Sequence, residues 1–238
     1  MDKAELAQME KQEQNYWWHI GRRQILRDFL NRRLAGRDHK ILDIGCGTGI
    51  NFTWLKDFGQ VTGSDTSSVA LDYCRAHGAY HQLFQGDVPP GQFQLITAFD
   101  VLEHIEDDRA ALTAWHRALS PDGHLLLTVP ANPLLFSAHD RALHHFRRYT
   151  SLGLRRKLTQ AGFRVEFISP FFFFTFPVVA IVRLLHKSAR PKTTYEQVST
   201  QTGTSSMLIG LSRVESAIIS AGLGWPWGSS LLAYAVKK

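Results

Sequence analysis

Cysteine is scarce in this chain, which has only Cys46 and Cys74 among its 238 residues. Two cysteines cannot build the disulfide framework that stabilises many small secreted domains. Cys46 also lies inside a glycine-rich turn. We therefore expect no structural disulfides and a protein of the reducing cytoplasm.

Long apolar runs are also missing. A membrane-spanning helix needs roughly 18 uninterrupted apolar residues, and the nearest candidate, 171–185, is broken by Pro177 and Arg183. The first fourteen residues are polar and charged, without the apolar stretch of a secretory signal. We expect neither a membrane span nor export.

Acidic residues are fewer than basic ones, which leaves a formal net charge of +6 and a pI near 9.5. This excess either favours contact with something anionic or reflects a solvated basic surface. With 44% hydrophobic and 20% charged residues, the composition is that of a globular protein. The length suits a single domain over 1–238.

Short β-rich runs alternate with helical stretches from Lys40 onwards, which is typical of a parallel sheet covered by helices on both faces. We predict an α/β fold with a polar helix at 2–15 and a second amphipathic N-terminal helix from residue 21. Predicted strands are 40–44, 60–64, 81–85, 93–99, 123–129, 163–169 and 229–236. Predicted helices are 51–58, 67–77, 107–119, 151–161 and 206–221, with an irregular loop over 131–150.

The Gly-x-Gly-x-x-Gly fingerprint of dinucleotide sites is absent. Instead, the apolar run Ile41–Ile44 leads into glycines at positions 45, 47 and 49. A glycine-rich turn between a strand and a helix lets the backbone approach a nucleotide-like ligand. The spacing argues against a nicotinamide-dependent oxidoreductase.

Aspartates stand at the ends of the next three predicted strands, at Asp65, Asp87 and Asp100. The carboxyl ends of parallel strands converge on one crevice, where a carboxylate after the second strand can accept hydrogen bonds from ribose hydroxyls. An acid after the third strand can accept from the amino group of an adenine. The pattern therefore predicts an adenosine-containing ligand.

Four segments together resemble the ordered motifs of class I S-adenosylmethionine-dependent methyltransferases, in the small-molecule branch that includes type 11 and ubiquinone-biosynthesis-like enzymes. They are Leu42–Gly49, Gly63–Asp65, Gly86–Asp87 and Phe99–Ile105. The resemblance covers about residues 40–130. It implies a doubly wound, Rossmann-like sheet of seven strands in the order 3-2-1-4-5-7-6, the last strand antiparallel.

The resemblance also implies S-adenosylmethionine as the cofactor and S-adenosylhomocysteine as its product. The glycines shape the loop beside the methionine moiety, Asp43 orders that loop, and Asp65 holds the ribose. Asp87 and Val88 meet the adenine, and Phe99 and Asp100 line the sulfonium end. The full expected cofactor site is Trp17, Arg22, Asp43, Gly45, Cys46, Gly47, Gly49, Asp65, Thr66, Gly86, Asp87, Val88, Phe99, Asp100, Val101 and His104.

Histidines at two places are candidates for a general base, which is needed only if the acceptor must lose a proton. His104 follows the fourth strand, while His139 and His145 lie in the loop after the fifth. We prefer His104 and His139 with Asp140 as an orienting group, and include His145 among the catalytic candidates. Asp100, Glu103 and His104 with a downstream histidine would alternatively suit a divalent cation, but we expect no metal.

The C-terminal part of the chain carries an apolar stretch and many basic residues. We predict an N-terminal helical cap at 1–39, a core at 40–170 and 229–238, and an apolar, helical lid at 171–228. Such a lid suits a small, hydrophobic or lipid-linked acceptor, methylated at oxygen or carbon, or peripheral contact with an anionic membrane on its inner, cytoplasmic face. We expect a monomer or homodimer and no nucleic-acid partner. The alternative function is a membrane-peripheral or nucleic-acid-binding methyltransferase-like module.

Overall fold

The computed structural model describes residues 3–36, 38–86, 92–185 and 202–238. Within these ranges, one sheet of seven strands has the order β3-β2-β1-β4-β5-β7-β6. Strands β1 to β5 pair in parallel, and β7 runs antiparallel to both β5 and β6. The predicted order and orientation are confirmed. The strands are β1 (His39–Ile44), β2 (Gly59–Asp65), β3 (Gln82–Gln85), β4 (Phe93–Phe99), β5 (Leu119–Pro130), β6 (Phe163–Phe171) and β7 (Ser230–Lys237).

Helices cover the sheet and precede it. They are α1 (Lys3–Asn15), α2 (Trp17–Arg33), α3 (Phe52–Leu55), α4 (Ser68–Ala76), α5 (Asp108–Ala118), α6 (Ala138–Ala142), α7 (Ser151–Gln160), α8 (Phe176–Leu185) and α9 (Thr202–Ser220). Short 3-10 turns lie at Lys56–Phe58, Leu102–His104 and Pro133–Leu135. None of the helices in the described ranges combines the length and apolar character that crossing a bilayer requires.

The strands are apolar on both sides because helices cover both faces of the sheet. In β5, Leu125 and Leu127 pack into the cluster shared with α5 and α7, whereas Leu126 packs into the cluster shared with α2. Successive side chains of a strand point to opposite faces, so one strand contributes to two cores. This arrangement fixes the carboxyl ends of β1, β2 and β4 along one edge.

The loop predicted over 131–150 contains more structure than expected. A 3-10 turn at Pro133–Leu135 and the short helix α6 both lie inside it. Asn132 and Ser137 start these elements, since the Asn132 side chain accepts from the Leu134 amide and Ser137 forms a capping box with Asp140. The capping pattern was readable, but the helix is too short for apolar periodicity to reveal it.

The predicted lid over 171–228 consists of two unlike helices. α9 packs along α2 so closely that a side-chain carbon on Gly21 would lie 2.5 Å from Ser212 Oγ. Ile219 of α9 is fully buried in the core shared with α2. α9 is therefore a core helix and not a lid, which corrects half of that prediction. α8 has no buried residue, and residues 186–201, between the two helices, lie outside the described ranges.

Candidate active site

The turn after β1 depends on glycine. Gly45, Gly47 and Gly49 all have positive φ, at +68°, +53° and +84°, which is unfavourable for residues with a side-chain carbon. At Gly45 such a carbon would also lie 2.5 Å from Val101 Cγ2. The turn thus brings the backbone against the segment that follows β4.

Asp43 holds the turn from beneath. Its carboxylate, 1% exposed, accepts hydrogen bonds from the Tyr80 hydroxyl and the Thr97 hydroxyl, both at 2.7 Å. Burial raises the pKa of Asp43 to about 6, although these hydroxyls and Arg22 oppose the shift. The network ties β1 to β4 and to the segment before β3.

Asp65 lies at the carboxyl end of β2 and faces the turn. Its two oxygens accept from the amides of Gly47 at 3.0 Å and Ser67 at 2.9 Å. An ionised carboxylate offers about four acceptor positions, so Asp65 retains capacity for further donors. This is the placement expected of a group that binds two hydroxyls.

Arg22 reaches from α2 to the end of β4. Its guanidinium pairs with Asp100 and lies 5.0 Å above the Trp18 ring. Asp100 has a φ of +56°, an uncommon conformation that aspartate tolerates better than most residues. Arg22 is buried, and its Nε has no hydrogen-bond partner among the described residues. The ion pair therefore joins the N-terminal helices to the edge of the crevice.

α1 covers the outer side of the turn. Glu13 is buried and accepts a hydrogen bond from the Thr48 hydroxyl. Leu6, fully buried, packs on Ala70 and Tyr73 of α4, and Tyr73 donates to Glu10 at 2.6 Å. The predicted N-terminal cap thus contacts the glycine turn directly.

Glu103, His104 and His145 form a compact group beyond β4. One ligand-type atom from each lies within 4.8 Å of the others, and the two imidazole rings meet edge-on with centroids 4.6 Å apart. Glu103 is fully buried, and both its carboxylate oxygens lack a partner in the described part of the chain. Burial and the nearby Asp100 raise the pKa of Glu103 well above its usual value.

Asp140 anchors this group from α6. Its fully buried carboxylate accepts from Arg148 Nε and Arg183 Nη1, both at 2.8 Å, and from the Ser137 amide at 2.9 Å. His145 Nδ1 lies 3.2 Å from Asp140 Oδ1. Burial alone would raise the pKa of Asp140, but His145 and the two arginines lower it below its usual value. Asp140 is therefore a fixed negative charge that orients His145.

Comparison with known proteins assigns the chain to a family. A family model described as a methyltransferase domain matches residues 17–167. A ubiquinone biosynthesis O-methyltransferase of Pseudomonas aeruginosa is 28% identical over 179 residues, which cover 63% of this chain and 77% of that protein.

The chain belongs to the methyltransferase-domain family. It is a class I, S-adenosylmethionine-dependent methyltransferase with a Rossmann-like fold. A Mesorhizobium loti S-adenosylmethionine-dependent methyltransferase superposes with a TM-score of 0.57 at 20% identity, covering 87% of this chain and 95% of that one. The cyclase SpnF superposes with a TM-score of 0.56 at 19% identity, covering 90% and 80%. Likeness at this level shows the fold alone.

The crevice of this methyltransferase fits the cofactor that its family implies. The buried side-chain oxygen of Asn51 has no partner among the described residues, and Asp65 keeps acceptor capacity. Among the described residues, a side-chain carbon built on Gly47 would meet nothing closer than 3.9 Å, and one on Gly86 would meet no atom within 4 Å. The site thus combines open backbone with unsatisfied polar groups.

The expected cofactor residues divide into four sets. The structure brings one set together around the turn and the strand ends, namely Arg22, Asp43, Gly45, Gly47, Gly49, Asp65, Asp100 and Val101. A second set is packed against other side chains: Cys46 lies in a small cluster with Cys74, Phe99 lies near Trp54 in the core, and Trp17 packs on Phe172. For these three, contact with the cofactor stays a prediction. Asp87 and Val88 lie outside the described ranges.

Thr66, Gly86 and His104 complete the expected set at the edge of the crevice. The Thr66 carbonyl accepts from the Gln85 side chain at 3.2 Å, and the Gly86 carbonyl lies 3.5 Å from Ser64 Oγ. Both contacts join β2 to β3. Their roles toward the cofactor stay predictions.

Among the catalytic candidates, the structure favours a different pairing from the preferred one. Asp140 contacts His145, whereas His139 is exposed on α6. The spacing of His139 and Asp140 in the sequence suggested a pair, but adjacent residues on a helix point in different directions. The pair that the structure favours is therefore His104 and His145, in place of the preferred pair His104 and His139.

Sequence reasoning omitted Glu13, Thr48, Tyr80 and Thr97 from the site. Each reaches it from an element whose position depends on tertiary packing. Only Thr48 gave a signal, because it lies between two glycines of the turn.

Proposed function

We propose that this methyltransferase transfers the methyl group to an oxygen or carbon of a small, hydrophobic or lipid-linked acceptor. The observation that carries the proposal is the Asp140–His145–His104 arrangement beside Asp100. The name of the Pseudomonas relative, an O-methyltransferase, supports oxygen over carbon. A cytoplasmic location and a monomeric or homodimeric state belong to the same proposal.

When bound, S-adenosylmethionine would supply an activated methyl group on a positively charged sulfur, with the glycine turn and Asp65 as the residues that hold it. The protein holds the two reactants in line, which can contribute about 7–11 kcal/mol. An imidazole takes the proton that the acceptor hydroxyl loses. With Nδ1–H of His145 donated to Asp140, its Nε2 is free to accept, a tautomer inferred from the hydrogen bond.

His104 is the second candidate to accept this proton, beside His145. Desolvation and the neighbouring His145 ring lower the pKa of His104 below its usual value near 6.5. The imidazole is therefore neutral at pH 7 and able to accept a proton. The acid limb of kcat/KM should fall below pH 6.5, because activity disappears only when the ring becomes protonated.

Aromatic side chains support an apolar acceptor. Trp18 lies under Arg22, which pairs with Asp100 at the crevice. Trp17 and Trp18 both pack on Phe172, with ring centroids 5.5 Å away in each case. An acceptor entering between this wall and the histidines would meet apolar surface on one side and imidazole on the other.

Cofactor binding is tested first, by calorimetry. Asp65→Ala should weaken S-adenosylmethionine binding by roughly tenfold or more, since ribose loses a charged hydrogen-bond acceptor. Asp57→Ala, which changes an exposed aspartate paired with Arg27, should leave it unchanged. Absent binding by the unmodified protein would overturn the core of the proposal.

Acceptor chemistry is tested by methylation of phenols with and without an alkyl tail. We expect higher kcat/KM for the tailed compounds. His145→Ala should lower kcat by roughly 10²–10⁴-fold while leaving cofactor affinity unchanged, as removal of a general base does. Equal rates for both phenols would contradict a lipophilic acceptor.

The alternative use of Glu103, His104 and His145 is a divalent cation, which carboxylate and imidazole ligands can hold. Dialysis against EDTA distinguishes a role as general bases from a role as cation ligands. We expect retained activity if the imidazoles act as bases, whereas a loss reversed by added metal would assign the group to a cation.

A nucleic-acid-binding role is the other alternative, suggested by the basic charge alone. Binding to phosphates weakens steeply with salt. A titration with single- and double-stranded nucleic acid at two salt concentrations should show no specific complex.

A further inference from the structure

α8 presents an apolar face to the outside of the protein. Val178, Ile181, Val182 and Leu185 are 66%, 59%, 49% and 77% exposed. Their spacing of i, i+3, i+4 and i+7 places them on one side of the helix. In most surface helices such a stripe faces the core. We call these four residues the α8 face.

The opposite side of α8 is attached to the segment over 131–150 that carries Asp140 and His145. Arg183 lies about 150° around the helix from the centre of the α8 face, at 100° per residue. Its guanidinium contacts Asp140 at 2.8 Å and Ser137 Oγ at 3.1 Å. The ion pair fixes which side of α8 points inward, so the exposure of the α8 face follows from its attachment.

Aromatic residues adjoin the start of α8. The Phe173 ring stacks on Trp225 and Trp227, with centroids 4.4 and 5.2 Å away, and Trp227 is 50% exposed. Glu215 accepts from the amides of Phe172 and Phe174 and so holds the turn into the helix. Half-exposed tryptophans are typical of the level of lipid headgroups.

Charge identifies the occupant. Residues 131–185 contain eight Lys and Arg but only two Asp and Glu, so this stretch carries a formal charge equal to the whole +6 of the chain. Five of these cations are paired with carboxylates: Arg148 and Arg183 with Asp140, Arg147 and Lys157 with Asp108 of α5, and Arg164 with Glu166. The positive charge that faces solvent is therefore carried mainly by the exposed side chains of Arg141, Arg155 and Arg156. A second copy of this chain would bring the same positive charge to the interface. An anionic bilayer offers both an apolar interior and negative headgroups.

We propose that the α8 face docks on the surface of a bilayer containing anionic lipid. A ten-residue helix is about 15 Å long, half the ~30 Å hydrocarbon thickness, so it lies in the interface plane and does not span. Docked in this way, the protein would hold the Asp140 loop, and with it His145, close to the membrane. The inference goes beyond the proposed transfer reaction, because docking needs no acceptor.

Vesicle sedimentation tests the docking with the full-length protein. Vesicles of phosphatidylcholine with about 30% phosphatidylglycerol should bind it roughly tenfold more tightly than phosphatidylcholine alone, and less at high salt. Ile181→Glu should reduce binding to the mixed vesicles by roughly tenfold, because a charge enters the apolar face. Leu152→Glu is the matched control, since Leu152 on α7 is 58% exposed, and it should bind as the unmodified protein does.

Unchanged thermal melts confirm that both variants fold. Equal binding by Ile181→Glu and the unmodified protein, or no binding by the unmodified protein, would overturn the proposal. Light scattering tests the other possible occupant, a second copy of this chain. If the unmodified protein does not bind vesicles but forms a dimer that Ile181→Glu dissociates, the α8 face is a dimer interface instead. Sedimentation measures no methyl transfer, so its failure leaves the proposed function standing.

Discussion

Asp43 is a buried carboxylate whose pKa is raised to about 6, chiefly because burial disfavours its charged form. In the unfolded chain its pKa is near 3.8, so the folded state binds the proton more tightly between these two values. Its contribution to the free energy of unfolding is greatest below pH ~4 and is lost as pH rises through 6. The difference corresponds to about 3 kcal/mol.

Asp43→Asn should remove this pH dependence. As pH rises from 4 to 8, the unmodified protein should lose up to about 3 kcal/mol of its free energy of unfolding through Asp43, and the variant should not. The difference between the two proteins should therefore shift in favour of the variant by that amount. Denaturant unfolding at several pH values, without cofactor, measures the slope. A pH-independent difference would show that Asp43 does not titrate there.

Gly45 is the glycine of the turn whose replacement meets the closest atom. Gly45→Ala combines a φ of +68° with a 2.5 Å approach to Val101, so the turn must shift, and cofactor affinity should fall roughly tenfold or more. Calorimetry measures this. Gly210→Ala is the control, because a side-chain carbon there meets no atom of the described residues within 4 Å, and it should leave affinity unchanged.

At the scale of elements, one carboxylate links α9 to the turn before α8. Glu215 is buried and accepts from the Phe172 and Phe174 amides at 2.6 and 3.3 Å. Phe172 itself has a φ of +60°, an outlier for a bulky residue that surrounding contacts must hold. The entry into α8 therefore depends on α9, not on local sequence preference.

Glu215→Ala should destabilise the protein by about 2–4 kcal/mol, because two amides lose their acceptor in a buried region. Chemical denaturation gives the value. Glu215→Gln keeps one carbonyl oxygen, so its free energy of unfolding should lie between those of Glu215→Ala and the unmodified protein. If alanine and glutamine had equal, small effects, water would have replaced the carboxylate.

At the scale of the molecule, the N-terminal helices are unequal partners of the domain. Ile25, Leu26, Phe29 and Leu30 of α2 are fully buried against the sheet, whereas α1 buries mainly Leu6 against α4. Burying four such side chains contributes about 6–12 kcal/mol, comparable to the entire stability of a domain. α2 therefore belongs to the core, whereas the predicted division at residue 39 placed it in an N-terminal cap.

Truncation distinguishes the two helices. A chain beginning at residue 16 should fold and melt cooperatively, with weaker cofactor affinity because Glu13 no longer contacts Thr48. A chain beginning at residue 38 should not fold. Circular dichroism and thermal melting report both, and a folded chain from residue 38 would show that α2 is dispensable.

SpnF shares this fold under the name of a cyclase, so the sheet alone does not specify a reaction. Here the reaction class follows from family membership. The acceptor depends on the loops around His145 and α8, which is where the experiments above are aimed.

The sequence by itself determined the strands, the glycine turn and the position of Asp65 at a strand end, because strand periodicity, glycine spacing and turn chemistry are local signals. The order of the strands followed from the resemblance of the motifs to a known family. The tertiary structure decided which histidine Asp140 orients, that α9 packs on α2, and that Cys46 and Phe99 are buried in apolar clusters. Those features depend on contacts between residues far apart in the chain, such as Asp43 with Tyr80 and Thr97, or Arg22 with Asp100. No periodicity or spacing encodes such contacts, since they arise only when the packed sheet brings strand ends, α2 and the loop before α7 to one edge.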